Sequence, residues 1–468
     1  MSTAIHWFRR DLRLNDNTAL NAATKEHTRV IPTYVLSNWK GRHRWTGAPR
    51  QQFLCDSIAS LDRGLRKAGS ALILRQGDAI EELTRLVRET NASAIYANRD
   101  PDPHGREIEK RLSLAAEKLG AKLHLFKDVA LHERDEALTG SGTPFRIFTP
   151  FSRAWSSLEK PRPGGRVTQL PPLPQGLQSL PLPSLETWNL TPSEDIKLPE
   201  AGETQAQARL QKFLDNRLFN YADHRDIPAL DGTSRISQDL RFGVLSIRET
   251  YDQVQQRLKG ATSDQRRSLQ IFVNELCWRE FYYQVLWFKP EVLEHEYSEA
   301  YRGLPWTNNQ EAFSRWCEGK TGFPIVDAGM RQLRASGFMH NRVRMIVAMF
   351  LTKDLHLDWR QGEQWFMQRL LDGEIAANNG GWQWSAGTGT DAAPYFRIQN
   401  PWTQSSRFDI DAEYIKRWIP ELTGVPAARL HQPPTPGIRL SPAYPLPMVD
   451  HAKERDVALA SYKAHLKK

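Results

Sequence analysis

The chain has 468 residues, 40% of them hydrophobic and 25% charged, with a formal net charge of +9 at pH 7. That length exceeds one ordinary core and predicts two domains, while the absence of any run of about eighteen apolar residues argues against a membrane span. Cys55, Cys277 and Cys317 lack CxxC spacing, so neither a zinc site nor a disulfide framework is expected and no metal is assigned. The opening MSTAIHWFRRDLRL has no apolar segment behind a basic one, which points to a cytoplasmic protein. The positive charge suits a polyanionic partner. Of the 15 Trp, ten lie from Trp278 onward, and basic charge with indole in one half of a chain suggests stacking on bases or on a flat cofactor.

Residues 1–130 alternate short apolar runs at 5–8, 30–36, 71–74, 94–97 and 123–126 with amphipathic stretches at 51–67, 79–89 and 107–119. This alternation predicts a doubly wound α/β domain with a parallel sheet. The turn RRDLRLNDN after the first strand has no GxGxxG, so a dinucleotide pyrophosphate is not expected there. A connector is placed at 131–200. Its part from 160 to 199 holds nine Pro and little periodicity, as an extended segment crossing between domains would. From 201 to 468 the text is helical, with apolar residues at i, i+3, i+4 in 205–219, 247–258, 268–286, 309–318, 325–336, 341–353, 358–371 and 411–418. Gly319-Lys320-Thr321 looks like the end of a P-loop, but Ser314 stands where the first Gly is needed and no strand precedes it.

The stretch DGEIAANNGGWQW at 372–384 suits a helix ending against a large flat ligand. Asp372 and Glu374 accept hydrogen bonds, Asn378 and Asn379 donate and accept, and Gly380-Gly381 permits close backbone approach. The plain alternative is a helix C-terminus closed by Gly, with Trp382 and Trp384 as core.

Taken together, GTSRIS (232–237), NELCWREFYYQ (274–284), KTGFPIVDAGMRQL (320–333), MHNRVRMI (339–346), LDWRQGE (357–363) and the 372–384 stretch resemble the photolyase/cryptochrome family. The N-terminal WFRRDLRLNDN belongs to the same pattern, and within the family the likeness is to class I cyclobutane pyrimidine dimer photolyases. The resemblance implies FAD folded in a U among the C-terminal helices. Thr233, Ser234, Arg235, Ile236 and Ser237 would hold its pyrophosphate, with Tyr221, Arg225, Glu275 and Arg279 as further cofactor residues. Asp372, paired with Arg344, would line the ring beside Glu374 and Asn378, with Asn378 facing the flavin N5. Glu374 stands where many relatives carry Asp.

Around the dimer pocket the resemblance places Glu275, Trp278, Asn341, Arg342, Met345 and Trp384. A protonated Glu275 would also act catalytically by donating to a thymine carbonyl. Relatives that repair the (6-4) photoproduct carry two His where this chain has Asn341 and Met345, and His340 is only a neighbour. Trp382, Trp359 and Trp306 match the family's electron path, with Trp316 close to the outermost. Arg342 and Arg397 would bind the DNA backbone. For the antenna chromophore, the segment 98–107 and Trp45 look more like the 8-hydroxy-5-deazaflavin type than the methenyltetrahydrofolate type, with Arg10, Arg50 and Asp100 as pocket residues. The expected activity is light-driven repair of pyrimidine dimers in UV-damaged DNA by a monomer. The alternative is a cryptochrome-type photosensor.

Overall fold

The computed structural model describes residues 2–41, 43–192 and 196–467. Five strands, β1 (Thr3–Phe8), β2 (Arg29–Leu36), β3 (Ile73–Gln76), β4 (Ala94–Asn98) and β5 (Lys122–Phe126), form one all-parallel sheet in the order β3-β2-β1-β4-β5. The crossovers are α1 (Thr18–Glu26), α2 (Ala48–Lys67), α3 (Ala79–Thr90) and α4 (Pro103–Glu117). Strand β1 is buried along its whole length because its alternate residues serve two layers. Ala4 and Phe8 belong to the apolar cluster shared with α1, α2 and the helical part, and Ile5 and Trp7 to the one under α3 and α4.

The stretch predicted as connector contains a further helix, α5 (Phe148–Ser157), that periodicity did not reveal. It is short, and its partners are remote in sequence: Trp155 Nε1 donates to Glu280 at 2.6 Å, and Phe148 stacks on Trp278 with ring centroids 3.6 Å apart. The Pro-rich remainder runs extended over the α/β layer. Leu170 N donates to Ala68 O, Leu180 N to Leu74 O and Trp188 Nε1 to Ser37 O before Lys197 N reaches Ala335 O in the helical part.

There the helices are α6 (Glu203–Asn216), α7 (Tyr221–His224), α8 (Ser237–Phe242), α9 (Ile247–Gln256), α10 (Ser263–Phe288), α11 (Gln310–Glu318), α12 (Pro324–Ser336) and α13 (Asn341–Met349). They are followed by α14 (Trp359–Arg369), α15 (Ile375–Ala386), α16 (Pro401–Phe408), α17 (Glu413–Trp418), α18 (Ala427–Leu430) and α19 (His451–His465). The long α10 starts with a capping box, Thr262 and Gln265 satisfying each other's backbone N–H, and it is the spine against which α5 and α15 pack. Gly319 is the left-handed cap that ends α11, so the P-loop reading has no place there. Among the described residues no helix is long and apolar enough to cross a membrane.

The two parts are locked by buried charge. Asp128, just after β5, accepts from Arg13 Nη2 at 2.8 Å and from Arg248 Nη2 of α9 at 2.7 Å, while Arg248 Nε reaches Asp16 at 3.0 Å. Gly243, at φ 62°, sits where any Cβ would collide with the Arg10 carbonyl, so α8 can approach the β1 turn only with glycine there.

Candidate functional site

The 372–384 stretch is a helix start rather than a helix end. Glu374 is the N-cap, α15 runs through both glycines, and the left-handed residue that closes it is Gly387. The double glycine is explained by space. A Cβ at Gly380 would run into the Tyr282 ring of α10, whereas one at Gly381 would meet nothing within 4 Å, so that part of α15 faces open room.

Asn378 stands one residue-triplet before Gly381, and its Nδ2 donates to Glu363 O at 3.1 Å. That bond fixes the amide orientation and leaves Oδ1 as the acceptor turned away from Glu363. Asn379 points inward instead, its Nδ2 donating to Glu363 Oε1 at 2.9 Å and Val292 O at 3.0 Å, so it is core and not ligand-facing. Burial raises the Glu363 carboxyl to about 8, which makes it a neutral acid behind the asparagines near pH 7.

Asp372 and Arg344 pair as expected, Nη2 to Oδ2 at 2.9 Å, and Ser237 Oγ donates to the same carboxylate at 2.7 Å. This joins the 232–237 turn to the α15 entry. No side-chain cap closes the start of α8 at Ile236, and Arg235 holds φ 57° with its guanidinium 3.6 Å from the Phe338 ring centroid. Thr233 is steadied through its carbonyl by Arg217 at 3.2 Å. Uncapped N–H groups, the small hydroxyls of Thr233, Ser234 and Ser237 and a nearby cation make a donor set that fits a pyrophosphate. Open room at Gly381 beside a neutral amide fits a flat ring.

Two expected cofactor residues also have protein partners across the domain boundary. Glu374 meets Arg10, accepts from Tyr283 OH at 2.9 Å and lies 3.8 Å from Arg241, so its longer side chain reaches the loop after β1. Arg279 donates to Val129 O at 2.7 Å and Leu240 O at 3.3 Å, tying α10 to the α/β part and α8. Both side chains join the interdomain cluster of expected antenna residues. Arg10 lies 3.5 Å from Asp100, and Arg50 Nη1 donates to Gly373 O at 2.6 Å. Burial and neighbouring Arg241 lower the Arg50 guanidinium to about 9, and its Nη2 donates to Met367 O at 2.6 Å.

On α10, Glu275, the expected proton donor to the substrate, accepts from Arg225 Nη1 at 2.6 Å. Desolvation still holds its carboxyl above the ordinary range although Arg225 pulls it down. Tyr221 closes the back of Arg225, 5.5 Å from ring centroid to guanidinium. Trp278 shares its face with Phe148, so the wall is an aromatic pair; half of it comes from the supposed connector. Trp384, half-buried, is on α15 two residues from Trp382.

Asn341 opens α13 in exposed position, and Met345 is one turn on, 3.6 Å from Arg342 Nη1. Arg342 Nη2 pairs with Asp226 at 2.9 Å. A cleft of about 430 Å³ brings Arg342 and Arg397 together with Asp226, Asn400 and Arg407, three residues the sequence reading missed. The adjacent charges of Arg225 and Asp226 were the available signal for one of them. His340 is buried as the α13 N-cap, its Nδ1 accepting from Arg342 N at 3.2 Å, and burial lowers it to about 4.

The three Trp of the expected path share one core. Trp382 packs on Gly362, where a Cβ would collide with its ring, and edge-on to Phe366 at 5.0 Å. Trp359 is wholly buried at the start of α14. Trp306 is half-buried against the same core, and its neighbour Thr307 donates from N to His356 O at 2.8 Å and bridges Leu357. Trp316, expected near the outer member, lies against the inner one, 6.1 Å from Trp382.

The family description "DNA photolyase" matches residues 4–174, and "FAD binding domain of DNA photolyase" matches 272–464. The chain is 40% identical to the deoxyribodipyrimidine photo-lyase of Synechococcus sp., over 96% of this chain and 93% of the relative. It is 39% identical to that of Agrobacterium fabrum, over 98% and 97%. Among solved structures, a bacterial class III photolyase from Agrobacterium tumefaciens superposes with TM-score 0.92 at 38% identity, covering 100% of this chain and 98% of that one. An archaeal photolyase from Sulfolobus tokodaii with two FAD molecules, the second implicated in light harvesting, gives 0.84 at 33%, covering 99% and 100%. A Synechocystis cryptochrome gives 0.90 at 29%, covering 98% and 99%. The chain belongs to the DNA photolyase family, and its class is that of a flavoprotein DNA-repair lyase.

Proposed function

We propose that the protein repairs cyclobutane pyrimidine dimers in UV-damaged DNA under blue light. FAD, when bound reduced and illuminated, supplies the single electron that opens the cyclobutane ring. Residues 1–130 serve as the antenna domain, 131–200 as the connector and 201–468 as the catalytic domain of a cytoplasmic monomer. Thr233 to Ser237, Tyr221, Arg225, Arg344, Asp372 and Asn378 hold the cofactor. Asn378, its amide fixed by Glu363 O, would offer the ring a neutral acceptor without adding negative charge beside it.

The dimer must leave the base stack, at a cost of a few kcal/mol that is smaller for a poorly paired lesion; photolyases are a standing example of this principle. Trp278 and Trp384 cover its apolar faces and exclude water. Arg342 and Arg397 neutralise flanking phosphates, and Arg407 adds a third charge to the same cleft. The observation that favours the cyclobutane reading over (6-4) repair is that α13 carries Asn341 and Met345 on one face while His340 is buried as its N-cap, so among the described residues α13 offers no exposed imidazole for acid–base work. For the antenna, Arg10, Arg50 and Asp100 with Arg241 support an 8-hydroxy-5-deazaflavin over methenyltetrahydrofolate, and the absorption spectrum of purified protein decides between them.

Incubating chemically reduced protein with a dimer-containing oligonucleotide is expected to restore intact thymines in blue light and not in darkness. No restoration in light, with flavin bound, would overturn the repair reading in favour of the photosensor alternative. Glu275→Gln, whose amide is a weaker donor than a carboxylic acid, is expected to lower repair per photon by up to about fivefold, with little loss of DNA affinity. Single-flash repair yield measures this, and an unchanged yield removes Glu275 from the chemistry.

A further inference from the structure

Of the three Trp on the electron path, Trp359 is, among the described residues, the one whose indole N–H meets a carboxylate. Its Nε1 donates to Glu296 Oε1 at 3.2 Å. Glu296 lies in the segment between α10 and α11 and is 3% exposed. Arg360 Nη2 holds the same oxygen at 3.1 Å, and its guanidinium carbon lies 4.5 Å from the Trp359 ring centroid. Arg360 is itself anchored by Asp358 at 3.1 Å and the Glu294 carbonyl at 2.9 Å. The middle Trp is thus set between one buried anion at its N–H and one cation at its face.

We propose that Glu296 is the positioning residue that makes Trp359 oxidisable. The inference rests on the reading of Trp382, Trp359 and Trp306 as the path by which the oxidised cofactor is reduced. One electron leaves Trp359 for oxidised Trp382, and one later arrives from Trp306, so the transient state of Trp359 is a cation whose indole keeps its proton. A carboxylate on that N–H stabilises positive charge in a low-dielectric interior, where water cannot. The Arg360 cation acts in the opposite sense by opposing charge on the ring. It also occupies the same Glu296 oxygen, so that oxygen is less free to take the indole proton and the hole passes on to Trp306. The pair therefore sets the middle step by charge, while the packing of the ring is set by its neighbours.

The test is flash photolysis of the oxidised holoenzyme, following the transient Trp radical-cation absorption and the long-lived reduced-flavin yield. Glu296→Gln keeps an acceptor for the indole N–H and removes only the charge. It is expected to lower that yield about tenfold, the worth of a charge-assisted over a neutral hydrogen bond. Arg360→Met is expected to leave the yield unchanged or raise it, with faster decay of the Trp cation into its deprotonated form, and Glu296→Asp to recover part of the loss. Equal yield in Glu296→Gln overturns the proposal. So does a parallel fall in both variants that tracks lost flavin or a lower melting temperature, since that is the mark of a packing role. Trp359→Phe separates the two levels: if it photoreduces normally, the path reading itself falls, whatever the Glu296 variants do.

Discussion

Asp128→Ala is expected to destabilise the protein by about 3–5 kcal/mol, the range found when one partner of a buried ion pair is removed and the others stay behind. Asp128 is enclosed with Arg13 and Arg248, and Arg248 continues to Asp16. Burial alone would raise the Asp128 carboxyl, but the two guanidiniums outweigh it and hold it at about 2. The folded value lies below the unfolded one of about 3.9, so the group's contribution is complete above that pH and is lost as pH falls toward 2. Denaturant unfolding at pH 7 measures the loss directly. A midpoint shift of less than 1 kcal/mol would show that the cluster relaxes when Asp128 goes. Since Arg13 and Asp16 belong to the β1 turn and Arg248 to α9, the variant should also loosen the α/β layer from the helical body, which limited proteolysis of the 160–199 stretch would register.

The second large effect is on light, not stability. Trp382→Phe is expected to abolish photoreduction of the oxidised cofactor while chemical reduction still gives a protein competent in repair. The indole is the nearest member of the proposed path to the α15 face that carries Asn378, and phenylalanine fills most of its space without being readily oxidised. Packing against Gly362 and Phe366 leaves a modest cavity, worth roughly 1–2 kcal/mol by analogy with other large-to-small changes. Flavin content and melting temperature should therefore remain close to those of the parent. Photoreduction at the parental rate would remove Trp382 from the path and turn attention to Trp316, which touches it.

Much of the site was legible because its signals are local. Glu275 and Trp278 fall on one face of α10, Asn341 and Met345 on one face of α13, and the Asp372–Arg344 pair follows from motifs the family shares. The β-strands were legible because buried parallel strands are short, apolar and regularly interrupted. What was missed depends on partners far along the chain. Nothing near Glu374 announces Arg10, 364 residues away, and nothing near Phe148 announces that its ring will cover Trp278. The double glycine misled for a related reason. Glycine signals freedom at a helix end as readily as close contact within a helix, and only the position of Tyr282 decides between them.

The sequence by itself determined the alternation of strands and helices and the helical second half, because periodicity encodes which face each residue takes, and its family motifs nominated the residues proposed for the site. The tertiary structure alone decided which acids are paired. It gave Glu275 to Arg225, turned Glu374 across the domain boundary and set Glu296 against Trp359. Electrostatic character depends on burial and on the nearest opposite charge, and neither is a property of neighbours in the chain.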